Sequence, residues 1–169
     1  MEFTPVQGDI AEQQADALVN AAGTSLRMGS GVAGALRRAA DGPINEAAMK
    51  NGPVDLGEVA VTDAYGLPTE YVIHAAAMPH YGDGRATEES IRTATRRSLE
   101  TADELGCGSL VLPVLGTGAA GFAFERGASF VCEEIDAYEP SSLTDVRVIA
   151  YSDAGYDHLE SVADQVSSE

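Results

Sequence analysis

The stretch Leu110-Val111-Leu112-Pro113-Val114-Leu115 is apolar at every position. A strand of that kind has no polar face to offer water, so it has to be covered on both sides. Further strand-like runs are read at 3–7, 17–20, 57–62, 71–76 and 146–151, with 109–115 holding the apolar stretch. Helical patterns lie between or after most of them, at 32–40, 43–50, 126–138 and 156–166. The clearest helix follows Thr87, an N-cap residue with Glu88 and Glu89 in the electropositive first turn. Its apolar face runs through Ile91, Ala94, Leu99, Ala102 and Leu105 to a stop at Gly106. Strands mixed with helices, two of them adjacent near 57–76, predict a three-layer α/β/α sandwich with a central mixed β-sheet. In that architecture ligands sit beyond the carboxyl ends of the strands.

The chain has 169 residues, 44% of them hydrophobic, and is read as one domain over 1–169. No apolar run approaches the roughly 20 residues that span a bilayer, and the opening Met1-Glu2-Phe3-Thr4-Pro5-Val6 lacks the regions of a signal peptide. A cytoplasmic protein without a membrane partner, monomeric, is expected. Cys107 and Cys132 lack CxxC spacing, and His74, His80 and His158 are scattered, so no metal and no cofactor are assigned and the thiols are expected to be buried and free. His74, inside an apolar run, is read as a hydrogen-bonded strand residue. The net charge is −17, and Lys50 is the one lysine beside nine arginines. That pairing resembles proteins of salt-accumulating halophiles, the alternative being a merely acidic composition. Either way the sign is wrong for binding duplex nucleic acid through its phosphates.

Two loops share the spacing Gly-x-Gly-x-x-Gly: Gly29-Ser30-Gly31-Val32-Ala33-Gly34 and Gly116-Thr117-Gly118-Ala119-Ala120-Gly121. Such loops let bare backbone N–H groups close on phosphate oxygens, and two of them suggest a diphosphate held from both sides. A dinucleotide-binding Rossmann unit fits poorly, because the first loop is separated from its strand by 21–28 and the second has too little chain after it. Neither loop carries the Gly-Lys-Ser/Thr ending of an NTPase P-loop, which argues against magnesium-dependent nucleotide hydrolysis.

Taken in order, Gly8-Asp9-Ile10, Val19-Asn20-Ala21-Ala22-Gly23, the loop 29–34, Tyr71-Val72-Ile73-His74-Ala75 and the segment 116–122 resemble a macro domain of the Appr-1"-p processing type. The resemblance covers nearly the whole chain. It implies a pocket for ADP-ribose or an ADP-ribosylated macromolecule. Asp9 matches the adenine reader, since a carboxylate accepts from the exocyclic amine, and Ile10 would offer its backbone N–H nearby. A plainer role for Asp9, as a turn or helix cap, is also open. Tyr151 matches the aromatic that stacks on adenine, with ordinary core packing as its alternative. Gly29, Ser30, Gly31 and Val32 would line one side of the diphosphate, at the start of a helix. Gly116, Thr117, Gly118, Ala119, Ala120 and Gly121 would close from the other side, Thr117 adding a hydroxyl donor. Phe122 would cover the ribose-phosphate arm or anchor the loop. Asn20 matches the first asparagine of the family's Val-Asn-Ala-Ala-Asn motif.

The match breaks at the reacting end. The family's second asparagine is Gly23 here, an aspartate that some members place in the glycine loop is Ala33, and an aromatic near the distal ribose is Ala120. Binding is therefore expected, without an assigned catalytic residue. A hydrolase of the same fold, removing ADP-ribose from proteins or deacetylating O-acetyl-ADP-ribose, is the alternative, since the substrate's diphosphate can itself orient water. The segment 78–85 is read as a surface loop or as a lid bringing His80, Tyr81 or Arg85 to the open end.

Overall fold

The computed structural model describes residues 1–29, 31–80, 84–117 and 123–167. Its strands are β1 (Glu2–Gln7), β2 (Ala17–Gly23), β3 (Val59–Asp63), β4 (Tyr71–Met78), β5 (Ser109–Pro113) and β6 (Asp145–Ala150). They form a single six-stranded sheet in the order β1-β6-β5-β2-β4-β3. Every neighbouring pair is parallel except β3 with β4, so the sheet is mixed as expected. The helices are α1 (Gly31–Ala39), α2 (Ile44–Lys50), α3 (Glu88–Glu104), α4 (Phe124–Ala137) and α5 (Asp153–Ser167).

The apolar run of β5 shows why the fold has three layers. Leu110 and Leu112 belong to a core shared with Ile91 and Leu99 of α3, Val131 and Ile135 of α4, and Leu159 of α5. Val111, between them, belongs to a second core with Leu36 of α1, Ile44 and Ala48 of α2, and Leu18, Val72 and Ile149 of the sheet. Successive residues of a strand point to opposite faces, so apolar neighbours in sequence serve two different cores. The strand ends earlier than read, at Pro113 rather than Leu115. Proline has no N–H to continue a ladder.

Local signals set several element ends. Thr87 caps α3: its Oγ1 accepts from the Ser90 N–H at 3.0 Å, and Ser90 Oγ accepts from the Thr87 N–H at 2.8 Å. The Ser90 hydroxyl also donates to the Ala77 carbonyl at 2.7 Å, which ties the start of α3 to the end of β4. Helix α5 begins at Asp153, three residues before the reading, because Ser152 Oγ accepts the Gly155 N–H at 3.0 Å and caps the first turn.

Across the middle of β3, β4 and β2 runs a buried polar chain. The Thr62 hydroxyl donates to the Asp63 carbonyl at 2.9 Å, so it accepts from Nε2–H of His74 at 2.9 Å. His74 Nδ1 then accepts from the Asn20 amide at 3.0 Å. His74 is thus the hydrogen-bonded strand histidine of the reading, and burial pulls its pKa down to about 4.

The amino end of the sheet is closed by carboxylates. Asp103 accepts from the N–H groups of Ser141, Ser142 and Leu143 at 3.0, 2.9 and 2.8 Å, and from the Tyr138 hydroxyl. These bonds overcome its partial desolvation and hold the carboxyl well below the usual carboxylate range. Asp16 Oδ2 accepts from the N–H groups of Gly108 and Ser109 at 2.7 and 3.2 Å.

Candidate functional site

The carboxyl ends of β1, β6, β5, β2 and β4 face one edge of the sandwich, the position where an open parallel sheet takes ligands. At the β1/β6 end, Gln7 pairs with Ala150 and the Gly8 N–H donates to the Ala150 carbonyl at 3.1 Å, so the chain leading into Asp9 and the one leading into Tyr151 leave the sheet at the same end. Asp9 Oδ1 accepts from the Ala11 N–H at 2.9 Å and caps a single 3-10 turn over Ile10–Glu12. The plainer capping role is therefore real, and it uses one of the two carboxylate oxygens. Tyr151 is 80% exposed, so core packing is not its role. Among the described residues the exposed ring has no stacking partner.

Gln7 supports this end, a function that no local pattern announced. Its amide donates to Asp153 Oδ1 at 2.6 Å and lies 3.5 Å from the Tyr151 carbonyl, fastening the turn between β6 and α5 to β1.

The first glycine loop follows β2 through a braced segment. The Met28 N–H donates to Asn45 Oδ1 at 2.8 Å, and Arg37 Nη1 donates to the Met28 carbonyl at 3.3 Å. Asn45 is buried on α2 and was not singled out by sequence; a polar residue on the inner face of a short helix was its only signal. Gly29 and Gly31 are exposed, with Gly31 the first residue of α1, so the loop feeds directly into a helix amino end. Ala33 lies on the buried face of α1. It presents no polar group toward the edge.

Gly116 follows β5 with φ +78°, and a Cβ there would lie 2.4 Å from Ile91 Cγ1 and 3.1 Å from Ala86 Cβ. Only glycine fits, because both the backbone region and the space exclude a side chain. The Thr117 hydroxyl, expected to point toward a ligand, donates instead to the Val114 carbonyl at 3.0 Å. It closes its own turn, which leaves the backbone as what Thr117 can offer. Ser30, Gly118, Ala119, Ala120, Gly121 and Phe122 lie outside the described residues, as do Tyr81, Gly82 and Asp83.

Asn20 is fully buried, with its amide nitrogen on His74 and Oδ1 without a partner among the described residues. It sits one layer beneath the edge rather than on it. Beside it, Gly23 ends β2 under the Pro79-His80 backbone: a Cβ at Gly23 would lie 3.0 Å from the Pro79 carbonyl oxygen. Among the described residues no group of three or more His, Cys, Asp or Glu side chains is placed to hold a metal. Cys107 and Cys132 are buried and free, and burial pushes the Cys132 thiol up to about 12. No helix of the described residues is long and apolar enough to cross a membrane. A cleft of about 310 Å³ lined by Asn51, Thr62, Asp63, Tyr65 and Tyr71 lies away from this edge, at the end of β3 that pairs with the start of β4.

A Macro domain family model matches residues 19–131, and the chain belongs to the macro domain family. An uncharacterized protein of Sulfolobus acidocaldarius is 41% identical over 169 residues, covering 97% of this chain and 91% of that protein. A macro domain-containing protein of Caldanaerobacter subterraneus is 35% identical over 157 residues, covering 90% of each. Among solved structures, a variant of the Oceanobacillus iheyensis macrodomain with ADPR aligns at TM-score 0.87 and 25% identity, covering 98% of this chain and 93% of that one. The same macrodomain with ADP aligns at TM-score 0.86 and 25% identity, covering 97% and 90%. A Trypanosoma brucei macrodomain in complex with ADP-ribose aligns at TM-score 0.81 and 27% identity, covering 94% and 68%.

Proposed function

We propose that this chain binds ADP-ribose or the ADP-ribosyl part of a larger molecule, with Asp9 and Tyr151 taking the adenine and the two glycine loops taking the diphosphate. The observation that carries this reading is the exposed Tyr151 ring after β6, at the end of the sheet where β1 leads into Asp9 and at the same edge as the glycine loops after β2 and β5. Asp9 would accept the adenine amine on Oδ2 while Oδ1 holds the 3-10 turn, and the ring would stack on the base for about 1 to 3 kcal/mol. Amides of Gly29, Ser30, Gly31 and Val32 would meet one side of the diphosphate at the start of α1, and the backbone of 116–121 the other, with Phe122 over the ribose-phosphate arm. Asn20 would act from below, by fixing the floor through His74.

Recognition is favoured over hydrolysis because Gly23 and Ala33 supply no side-chain base to activate water. Isothermal titration calorimetry with ADP-ribose tests the reading: micromolar binding supports it, and absence of binding at millimolar ligand refutes it. Incubation with O-acetyl-ADP-ribose and with an ADP-ribosylated carboxylate peptide separates the two activities, since a reader leaves both unchanged. The acidic surface adds a proposal about solvent. A net charge of −17 is tolerable where salt shortens the Debye length to about 3 Å at 1 M, so circular dichroism is expected to show folded structure weakening as salt is removed. Full stability in salt-free buffer would refute that proposal.

A further inference from the structure

The strand order fixes a direction along the edge. Asp9 and Tyr151 stand over β1 and β6, the glycine loops follow β5 and β2, and β4 comes next in the same sequence of strands. With strands about 4.8 Å apart, a ligand laid from β1 across the loops reaches the gap between β2 and β4 at its far end. In the proposed binding mode that far end is the distal ribose.

The structure builds something specific in that gap. The β2/β4 register shifts between Ala22 and Gly23, which oppose Ala76 and Met78, so Ala77 is an extra residue on β4. A bulge of this kind re-aims the chain that follows it. Here it carries Pro79 and His80 across Gly23, where a Cβ would come within 3.0 Å of the Pro79 carbonyl oxygen and 3.5 Å of the His80 Cα. Two hydroxyls from the chain after β2 then hold the histidine. The His80 N–H donates to Thr24 Oγ1 at 3.1 Å, and the ring Nδ1 lies 2.9 Å from Ser25 Oγ. Ser25 Oγ itself accepts the Arg27 N–H at 3.3 Å and keeps its own proton available for Nδ1. A neutral ring bonded in this way carries its hydrogen on Nε2. Nε2 has no partner among the described residues, and the side chain is exposed.

We infer that His80 is the distal-ribose contact of this chain, its ring locked by Ser25 and presented by the Ala77 bulge over Gly23, with Nε2–H donating to a ribose hydroxyl. The inference rests on the ADP-ribose reading above. Gly23 has a positive role in it: the missing side chain is what lets the histidine two residues after β4 reach a place on the edge of β2. Specificity follows, because ADP lacks the group that His80 meets whereas ADP-ribose has it.

Calorimetry with both ligands tests this. His80→Ala is expected to weaken ADP-ribose about tenfold, the range of one hydrogen bond, and to leave ADP within about twofold. His80→Gln, with an amide in place of the ring, is expected to recover part of the loss. Gly23→Ala, which must push the Pro79-His80 backbone away, is expected to show the same ligand-selective loss, with a melting curve to establish that it is folded. Equal losses for both ligands, no loss for either, or a wild-type protein that does not distinguish ADP-ribose from ADP would each overturn the assignment while leaving nucleotide binding in place. A wild-type protein that binds neither ligand would overturn the underlying reading and this one with it.

Discussion

The two ends of the sheet treat their backbone amides in opposite ways. At the amino end, Asp103 and Asp16 between them accept five loop N–H groups, those of Ser141, Ser142, Leu143, Gly108 and Ser109. At the carboxyl end, among the described residues, no carboxylate accepts an amide of either glycine loop; the nearest brace, on Met28, is the neutral amide of Asn45. A chain with 27 acidic residues has anions to spare, so this difference is one of placement. One end supplies its own anions. The other leaves its described loop amides without a carboxylate, as the proposed diphosphate site would require.

Breaking the amino end is expected to have the largest effect. Asp103→Ala leaves three N–H groups and the Tyr138 hydroxyl without their acceptor, at a cost of about 3 to 4 kcal/mol in urea denaturation, with ADP-ribose affinity of the folded protein unchanged. An equal fall in affinity would mean that the two ends are coupled.

Acid sharpens the contrast through His74, which lies between the ends. Its folded pKa, about 4, is below the unfolded value near 6.5, so the unfolded chain binds the proton first. Its stabilising contribution is present above pH 6.5 and lost as pH falls toward 4, by about 3 kcal/mol for a shift of that size. Asp103, whose carboxyl is also depressed, gives a second loss that begins only below the ordinary carboxylate range near pH 4. Thermal melts across pH 3 to 8 are expected to show both phases, the first absent in His74→Gln and the second absent in Asp103→Ala.

At the carboxyl end the balance reverses. Asp9→Ala is expected to cost about 1 to 3 kcal/mol of ADP-ribose binding but no more than about 1 kcal/mol of stability, since in the fold it caps one short turn. Tyr151→Ala is expected to cost about 1 to 2 kcal/mol of binding by calorimetry and nothing measurable in melting temperature, because the ring is already in water. Tyr151→Phe is expected to bind as the wild type.

What was legible in the sequence were features in which neighbouring residues carry the whole signal. The consecutive apolar positions of β5, the Thr87 cap with its acidic first turn, and the Gly-x-Gly-x-x-Gly loops are of this kind. The β3/β4 hairpin near 57–76 was legible too, and with it the mixed sheet. The Asp103 clamp was not, because an aspartate in the last turn of α3 looks like an ordinary solvated acid until a loop 38 to 40 residues away is folded over it. Asn45 and Gln7 were hidden in the same way, as single polar residues whose partners are distant in the chain. Thr117 misled for a local reason: a hydroxyl three residues after a free carbonyl closes its own turn before it reaches anything else. The Ala77 bulge leaves no mark in the run of alanines around it, and so the seat of His80 could be suspected from the irregular 78–85 segment but not located.

The pairing of β1 with β6 has a consequence in time. A ribosome makes residues 2–7 before every other strand of the sheet and residues 145–150 after them, at about 5 to 20 residues per second. Among the described residues β1 hydrogen-bonds to no other strand, so it waits unpaired for most of that interval. Asp9 and Tyr151 are brought to the same end of the sheet only when β6 docks on β1, and the adenine end of the proposed site is therefore completed late in folding. A nascent chain already holding both glycine loops still lacks the feature that would tell adenine from another base.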